Sequence, residues 1–246
     1  MSFGRPKPIW CAIVKTGFDK HGESVTLLSG GLDSTVSLAM ALEHQGPALA
    51  VFFDYGQRAG GMELKAVEEI SGLYGLELMK IELPWFGSVS SSTLIEGNGD
   101  PGVFGGSTLE DDSVTGVSSA WVENRNGVFL NIAAAVAAAR GSEVIIAGFN
   151  REEAVRFPDN RPEYIDAVNA SLRLGAGAPV RVVSPTVDMT KRDIVVEGLR
   201  LGVPWKSIWS CYLGGELMCG RCESCMRLRR AVSGTPAETE IEFEEE

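Results

Sequence analysis

The sequence has few histidines, one cysteine outside a short C-terminal segment, and no long apolar run. His21 and His44 are the only histidines, and they form no Ser-His-Asp or Cys-His pattern of nucleophilic catalysis. No segment approaches the roughly 20 apolar residues that a membrane span requires. Residues 1–8 lack the charged-then-apolar pattern of a secretory signal, so we expect a cytoplasmic protein that has no membrane partner.

Positive charge is also scarce. The chain has 22 Lys and Arg against 33 Asp and Glu, a formal net charge of −11, and six of the negative charges fall in residues 238–246. The body of the protein is therefore mildly acidic. Because a nucleic-acid-binding surface needs a basic footprint, we expect no nucleic-acid partner. We predict that residues 234–246 form a disordered acidic tail.

The remaining composition is that of a globular protein, with 44% hydrophobic and 22% charged residues in 246. This length suits one large α/β domain with a small appendage. The predicted strands cover residues 25–28, 48–53, 76–83, 143–147 and 180–184. The helical patterns between and after them cover residues 36–45, 63–74, 127–140, 162–174 and 190–201. This alternation predicts right-handed crossovers and a doubly wound, mostly parallel, Rossmann-like sheet.

Two helix boundaries have their own signals. Asn126 is a candidate N-cap for the alanine-rich helix that Gly141 ends, and Thr190 with Asp193 forms a capping-box pattern. Periodicity disappears between residues 84 and 120, where residues 97–106 are rich in glycine. A long stretch of this kind is functional or disordered, so we predict a flexible insertion that serves as a mobile lid or as an oligomer contact.

A glycine loop, Ser29-Gly30-Gly31-Leu32-Asp33-Ser34-Thr35, separates the first apolar run from a helical pattern. Paired glycines allow φ > 0 and let a phosphate approach the backbone with no Cβ in the way. The first N–H groups of the following helix lack intrahelical partners, so an anion is their natural ligand, with hydroxyls as further donors. The loop matches neither the Walker pattern nor the G-x-G-x-x-G dinucleotide pattern. The candidate phosphate-binding residues are Leu28, Ser29, Gly30, Gly31, Leu32, Asp33, Ser34 and Thr35.

Four of the five cysteines lie between positions 211 and 225 with the spacing C-x7-C-x2-C-x2-C. In a cytoplasmic protein this clustering favours metal binding over disulfides. Four thiolates suit a closed tetrahedral Zn²⁺ site, and an iron–sulfur cluster is the alternative. The predicted metal ligands are Cys211, Cys219, Cys222 and Cys225, and we expect the metal to pin the loop from Trp209 to Cys225 against the sheet.

Polar residues follow two of the predicted strands. Asp54, Tyr55, Gln57 and Arg58 come after the second strand, and Asn150 with Arg151 after the fourth. Ligands of open α/β sheets bind outside the carboxyl ends of the strands, so these side chains are candidates for the crevice that the glycine loop enters. Strand-end capping and a salt-bridged surface loop are the alternatives.

The loop SGGLDS resembles the pyrophosphate loop of the N-type ATP pyrophosphatases. Further motifs occur in the order found in the 7-cyano-7-deazaguanine synthase family, which makes the nitrile precursor of queuosine and archaeosine. They are FDYGQR at 53–58, Arg125-Asn126, PDNRPE at 158–163, and residues 209–225 with the cysteines. The sequence is similar to this family nearly end to end.

The resemblance implies an adenine nucleotide α-hydrolase type of fold and an ATP-dependent carbon–nitrogen ligase. The implied reaction converts 7-carboxy-7-deazaguanine and ammonia to 7-cyano-7-deazaguanine through adenylated carboxylate and amide intermediates, with ATP, Mg²⁺ and Zn²⁺ as cofactors. The implied catalytic residues are Asp33, Ser34 and Arg58. The glycine loop and Leu28, with Asp54, Tyr55, Gln57, Arg125 and Asn126, would bind the nucleotide. The implied substrate-binding residues are Asn150, Arg151, Asp159, Arg161 and Glu163.

We expect an ATP pyrophosphatase-like domain over residues 1–204 and a zinc-binding region over 205–233. We also expect the protein to form a homodimer. Its expected small-molecule partners are a deazapurine substrate and ammonia. The alternative function is a related ligase that transfers an adenylated carboxylate to another amine, including a protein amine. Binding of the base in place of the nucleotide, and plain helix capping, are alternative roles for Arg125 and Asn126.

Overall fold

The computed structural model describes residues 23–44, 48–99 and 120–244. Five strands form one sheet in the order β3-β2-β1-β4-β5, and every neighbouring pair is parallel. The strands are β1 (Ser24–Leu27), β2 (Ala48–Asp54), β3 (Glu77–Glu82), β4 (Val144–Ile146) and β5 (Arg181–Val183). The predicted parallel α/β fold is confirmed.

Helices connect the strands and extend past the last of them. They are α1 (Leu32–Leu42), α2 (Gly60–Tyr74), α3 (Pro84–Val89), α4 (Arg125–Arg140), α5 (Arg151–Arg156), α6 (Pro162–Gly175), α7 (Lys191–Leu201) and α8 (Glu223–Val232). Single 3-10 turns lie at Pro158–Asn160, Trp205–Ser207 and Pro236–Thr239. Within the described ranges, none of the helices has the length and apolar character needed to cross a membrane.

Both faces of the sheet are covered, as a doubly wound fold requires. Val51 and Phe53 of β2 pack in one buried cluster with α4 and α6. The alternate residues of the same strand, Ala50 and Phe52, pack with α1 and α2 on the opposite face. Burial on both faces explains why β2 reads as an unbroken apolar run rather than an alternating one.

The observed first residues of the helices test the capping roles predicted from the sequence. The capping box of α7 is confirmed, since Thr190 Oγ1 accepts from Asp193 N at 3.1 Å and Thr190 N donates to Asp193 Oδ2 at 2.9 Å. The capping role predicted for Asn126 is wrong, because α4 begins at Arg125 and its N-cap is Asn124 at φ 51°. Helix α1 begins at Leu32, four residues before its apolar periodicity, so most of the glycine loop is the first helical turn.

Part of the predicted insertion is described. Phe86 of α3, Leu94 and Ile95 are buried against the α4 face of the sheet, and Arg58 N donates to Leu94 O at 2.9 Å. Residues 100–119, which hold most of the glycine-rich stretch, lie outside the described residues. Whether the insertion is a lid or an oligomer contact therefore stays an open prediction.

The C-terminal segment differs from the expected disordered tail as far as residue 244. Ala237 and Ile241 are buried, the Arg229 guanidinium lies 4.7 Å from the Phe243 ring centroid, and Glu244 N donates to Met218 O at 2.8 Å. Apolar residues placed between the glutamates anchor the segment on α8 and the cysteine region. The charge count alone does not reveal this spacing.

Candidate functional site

A crevice of about 260 Å³ lies at the carboxyl ends of the strands. The glycine loop forms its floor, the start of α4 and the end of β4 form two sides, and the cysteine region closes a third. Among the predicted site residues, those that line it are Ser29, Gly31, Leu32, Asp33, Ser34, Arg125, Asn126 and Asp159. The topology therefore brings the glycine loop together with Arg125, Asn126 and Asp159 at the carboxyl ends of the strands, where ligands of open α/β sheets bind.

The glycine loop is held by close contacts that only glycine permits. Gly30 has φ +77°, and a Cβ at this position would lie 2.7 Å from the Cβ of Ala66 in α2. Its carbonyl accepts a hydrogen bond from Trp209 N at 2.9 Å, which ties the loop to the cysteine region. A Cβ on Gly148, just past β4, would lie 2.6 Å from Ser34 N. The loop backbone is thus clamped between α2, β4 and the cysteine region.

The N terminus of α1 is open to an anion, because no side chain caps it. The hydroxyls of Ser29 and Ser34 lie 3.1 Å apart at the crevice. Ser34 Oγ donates to Gly31 O at 3.1 Å, and so does the hydroxyl of Thr35 at 2.8 Å, but Thr35 is fully buried and does not line the crevice. The serines are therefore the hydroxyl donors nearest the crevice, whereas Thr35 stabilises the helix start.

Asp33 belongs to a buried charge network. Lys191 Nζ contacts Asp33 Oδ2 and lies 2.9 Å from Glu153 Oε1, and Asn150 Nδ2 donates to Asp33 Oδ2 at 3.2 Å. Asp33 Oδ1 is buried and has no hydrogen-bond partner. Burial raises the pKa of Asp33 to about 6 although Lys191 opposes the shift. Burial also acts to raise the pKa of Glu153, but Lys191 outweighs it and holds that pKa below its usual value.

A second pair of charges lies at the α4 side of the crevice. Arg125 donates to the Tyr55 hydroxyl at 3.0 Å, and its guanidinium lies 5.7 Å from the centre of that ring. Burial acts to lower the pKa of Arg125, but Tyr55, Asp159 and Glu63 outweigh it and raise that pKa. Burial also raises the pKa of Asp159, and Arg125 opposes this. The guanidinium therefore remains charged beside the carboxyl of Asp159.

Aromatic rings form the walls next to this pair. The rings of Trp121 and Phe157 are nearly parallel, with centroids 5.9 Å apart and an interplanar angle of 11°. Phe129 also lines the crevice and stacks on Phe53 with centroids 4.1 Å apart. Flat apolar walls beside a few fixed polar groups are typical of a site for a small ring system.

Several predicted residues do not line the crevice. Arg58 Nε donates to Thr93 O at 2.9 Å, and Asp54 pairs with Lys80 at 3.0 Å. Gln57 is buried and its amide bridges Phe53 O and the Glu63 carboxylate. The remaining predicted residues, which lie in supporting positions or are exposed, are Leu28, Gly30, Thr35, Tyr55, Asn150, Arg151, Arg161 and Glu163.

Sequence reasoning missed four charged residues that line the crevice, Glu63, Glu153, Lys191 and Arg227. Lys191 lies inside the capping-box pattern, which suggested only a structural role, and Glu153 is one of several polar residues after β4 to which no role was assigned. Arg227 lies on α8, where Glu223 Oε1 accepts from it at 2.5 Å and from Arg156 at 2.9 Å. The one sequence signal for these residues was a charged side chain within an otherwise structural motif. Such side chains are too common in proteins to identify a functional site.

The four cysteines form one buried group that could hold a metal ion. Their sulfur atoms all lie within 4.8 Å of one another, and Cys219 and Cys225 are 3.9 Å apart at sulfur. Tetrahedral Zn²⁺ with Zn–S bonds of about 2.3 Å places its sulfur ligands about 3.8 Å apart. Backbone N–H groups of Leu213 and Cys219 point at Cys211 Sγ, at 3.3 and 3.4 Å. The geometry therefore fits a closed four-sulfur metal site.

The parallel sheet and the glycine loop define an α/β protein with a nucleotide-binding fold. A similar fold occurs in the U34-tRNA thiolase NcsA from Methanococcus maripaludis, a structure with a [4Fe-4S] cluster. The two align with a TM-score of 0.51 and 12% identity, over 79% of this chain and 65% of that one. This likeness concerns the fold alone.

Sequence comparison identifies the family. A family model described as queuosine biosynthesis protein QueC matches residues 23–235, and the chain belongs to this family. A relative from Desulforudis audaxviator, named 7-cyano-7-deazaguanine synthase, is 46% identical over 213 residues, covering 85% of this chain and 96% of the relative. A relative of the same name from Methanosarcina mazei is 40% identical over 214 residues, covering 85% and 93%. The resemblance inferred from the motifs is confirmed.

Proposed function

We propose that this protein converts 7-carboxy-7-deazaguanine and ammonia to 7-cyano-7-deazaguanine at the expense of ATP. The main support is the crevice itself, where an uncapped helix N terminus and the buried Asp33–Lys191–Glu153 network face the Arg125–Asp159 pair. One end suits a triphosphate and the other suits a small polar ring. The names of the relatives agree with this assignment.

At the phosphate end, the helix N–H groups, Ser29 and Ser34 would donate to phosphate oxygens. Lys191 and Arg227, both buried and both lining the crevice, add positive charge where the leaving pyrophosphate gains negative charge. Asp33 and Glu153 fit a Mg²⁺ ion, because Asp33 Oδ1 is a buried carboxylate oxygen without a partner and Mg²⁺ prefers carboxylate ligands. Mg²⁺ would neutralise phosphate charge there.

At the α4 end, Arg125 would hold the carboxylate of the substrate, since a guanidinium offers five donors and Tyr55 uses one. Asp159 would accept from the amino and ring N–H groups of the deazaguanine. Trp121 and Phe157 would provide flat walls for the ring.

In the proposed reaction the substrate carboxylate attacks the α-phosphorus of ATP and pyrophosphate leaves. Ammonia then displaces AMP to give an amide. A second ATP then adenylates the amide oxygen with release of a second pyrophosphate. Loss of AMP, which carries that oxygen away, together with the two amide protons leaves the nitrile. The chemistry needs orientation and charge neutralisation rather than a protein nucleophile.

For the cysteine site we propose Zn²⁺, because four buried thiolates close the coordination shell and leave no position for a substrate. An iron–sulfur cluster is the alternative, and such a cluster is named for the fold neighbour NcsA. Elemental analysis and the visible absorption spectrum of the purified protein separate the two. About one zinc per chain supports our proposal, whereas iron with sulfide-dependent absorption contradicts it.

The test of function is incubation with ATP, Mg²⁺, ammonium and 7-carboxy-7-deazaguanine, followed by mass spectrometry of the products. We expect AMP, pyrophosphate and the nitrile. Asp33→Asn should abolish AMP formation, whereas Asp188→Asn at an exposed position should retain it. AMP without nitrile would support the alternative, in which another amine, including a protein amine, is the acceptor. An absence of AMP would refute the proposed function.

We also propose a homodimer, which sedimentation equilibrium of the full chain tests directly. A mass near twice 26.3 kDa supports it, and a monomer mass at micromolar concentration contradicts it.

A further inference from the structure

Lys191 occupies an unusual position for a lysine. Its side chain is only 11% exposed, and its ammonium group contacts carboxylates from two different elements, Asp33 of α1 and Glu153 of α5. The start of α7 is fixed as well, because Lys191 N donates to Glu152 Oε1 at 2.8 Å. The structure therefore holds the Lys191 ammonium between two partly buried carboxylates at the phosphate end of the crevice.

The same two carboxylates are the pair that fits a divalent cation. Asp33 keeps one buried oxygen, Oδ1, without any partner while Oδ2 contacts Lys191 and Asn150. An ammonium nitrogen lies about 2.8 Å from a carboxylate oxygen, and Mg²⁺ lies about 2.1 Å from it. Both cations therefore suit a position between the same two carboxylates, and they would compete for it.

A nucleotide changes the balance of charge. Lys191 contacts Asp33 and Glu153, whereas Arg227 and Arg156 both pair with Glu223. Three cations thus offset three carboxylates, so the network accommodates an added polyanion only when a further cation arrives with it. Lys191 has three donors, and it also lines the crevice next to the uncapped N terminus of α1. A short movement of its flexible side chain would exchange carboxylate partners for phosphate partners.

We propose that Lys191 occupies the cation position between Asp33 and Glu153 until Mg²⁺ and ATP bind, and that it then transfers to phosphate oxygens. This inference rests on the proposed binding of Mg²⁺ and ATP in the crevice. It makes Lys191 a gate that disfavours a divalent ion without a nucleotide and that contributes to nucleotide binding once the ion is present.

The test measures two affinities on the full chain. Binding of Mn²⁺ alone is followed by electron paramagnetic resonance of the free ion, without nucleotide. Binding of a non-hydrolysable α,β-methylene ATP with Mg²⁺ is followed by calorimetry. We expect Lys191→Met to bind Mn²⁺ at least about tenfold more tightly than the parent protein and to bind the ATP analogue at least about tenfold more weakly. A purely structural lysine would weaken both affinities when replaced.

Three variants serve as controls. Lys191→Arg keeps the cation and should retain weak Mn²⁺ binding. Lys191→Met with Asp33→Asn should lose the gained Mn²⁺ site. Lys206→Met, at an exposed lysine outside the crevice lining, should change neither affinity. Should Lys191→Met fail to fold by circular dichroism, Lys191→Gln takes its place with the same expectations.

Unchanged or weaker Mn²⁺ binding by Lys191→Met or its Gln substitute would overturn the proposal, as would unchanged affinity for the ATP analogue. Neither measurement uses the deazaguanine substrate. The Mn²⁺ result can therefore be interpreted even if the assigned reaction is wrong.

Discussion

Replacement of Gly30 by alanine tests how the glycine loop is held. Two separate costs arise in the folded protein. At φ +77° a non-glycine residue costs about 1–2 kcal/mol. The new Cβ would also lie 2.7 Å from the Cβ of Ala66, which is a backbone-anchored atom of α2 that cannot rotate away, and overpacking of this kind costs about 1–3 kcal/mol. We expect Gly30→Ala to lower the free energy of unfolding by about 2–5 kcal/mol.

The two costs separate in a double-mutant cycle measured by urea unfolding. Ala66→Gly removes the opposing Cβ and by itself should cost about 1 kcal/mol in helix stability. In the Gly30→Ala background it should recover the steric part, so the two changes should couple by about 1–3 kcal/mol. Gly75 is the matched control, with φ +65° and no atom within 4 Å of the position that a Cβ would take. Gly75→Ala should therefore show the conformational cost alone.

Additive effects of Gly30→Ala and Ala66→Gly would refute the reasoning, because the clash would then not exist in solution. An equal loss of stability in Gly30→Ala and Gly75→Ala would lead to the same conclusion. Nucleotide binding gives a second readout. Since the Gly30 carbonyl accepts from Trp209 N at 2.9 Å, a displaced loop should also lower the affinity for ATP.

Three further predictions concern metal, substrate and pH. Cys222→Ser should lose the bound metal and lower the melting temperature by roughly 10 °C or more, since a structural metal site contributes folding energy. The control Cys11→Ser should keep the metal. Loss of metal without loss of stability would show that the site is not structural. Arg125→Ala should reduce kcat/KM for the deazaguanine substrate by at least about 100-fold with little change in the affinity for the ATP analogue. Arg161→Ala should have only a small effect on kcat/KM. Equal effects of the two substitutions would contradict the proposed substrate end of the crevice. Asp193→Asn should cost about 0.5–1 kcal/mol at neutral pH. Hydrogen bonding from the Thr190 side chain lowers the pKa of Asp193 below 3.8, so this carboxylate stabilises the fold above that pH. The difference in unfolding free energy between the parent protein and Asp193→Asn should disappear as pH falls through the lowered pKa. A difference that persists in acid would contradict this stabilising role of the carboxylate.

Local chemistry made much of the architecture predictable. Buried strands such as β2 read as apolar runs because both faces are covered, and Thr190 with Asp193 marked the start of α7 within one residue. Helix starts without such a cap were less accessible. Helix α1 begins at Leu32 because the chain turns into the helix directly after the glycines, whereas apolar periodicity becomes visible only a turn later.

The candidate site divides in the same way. The glycine loop and the cysteine spacing are contiguous patterns, so their residue types and order alone indicated an anion site and a metal site. Arg58 shows the limit of this approach, because a charged residue at a strand end reads equally well as a ligand contact or as a support. In the structure its side chain binds the carbonyl of Thr93.

The sequence by itself determined the parallel α/β fold, the glycine loop, the cysteine cluster and the family, because each is recognised from short contiguous patterns and from their order along the chain. Only the tertiary structure decided which charges meet in the crevice. Lys191 contacts Asp33 across 158 positions, and Arg227 reaches the crevice from α8, the helix that contains Cys225. Such pairs follow from the packing of α7 and α8 over the loop, and charge attraction between distant residues leaves no periodic signal along the chain.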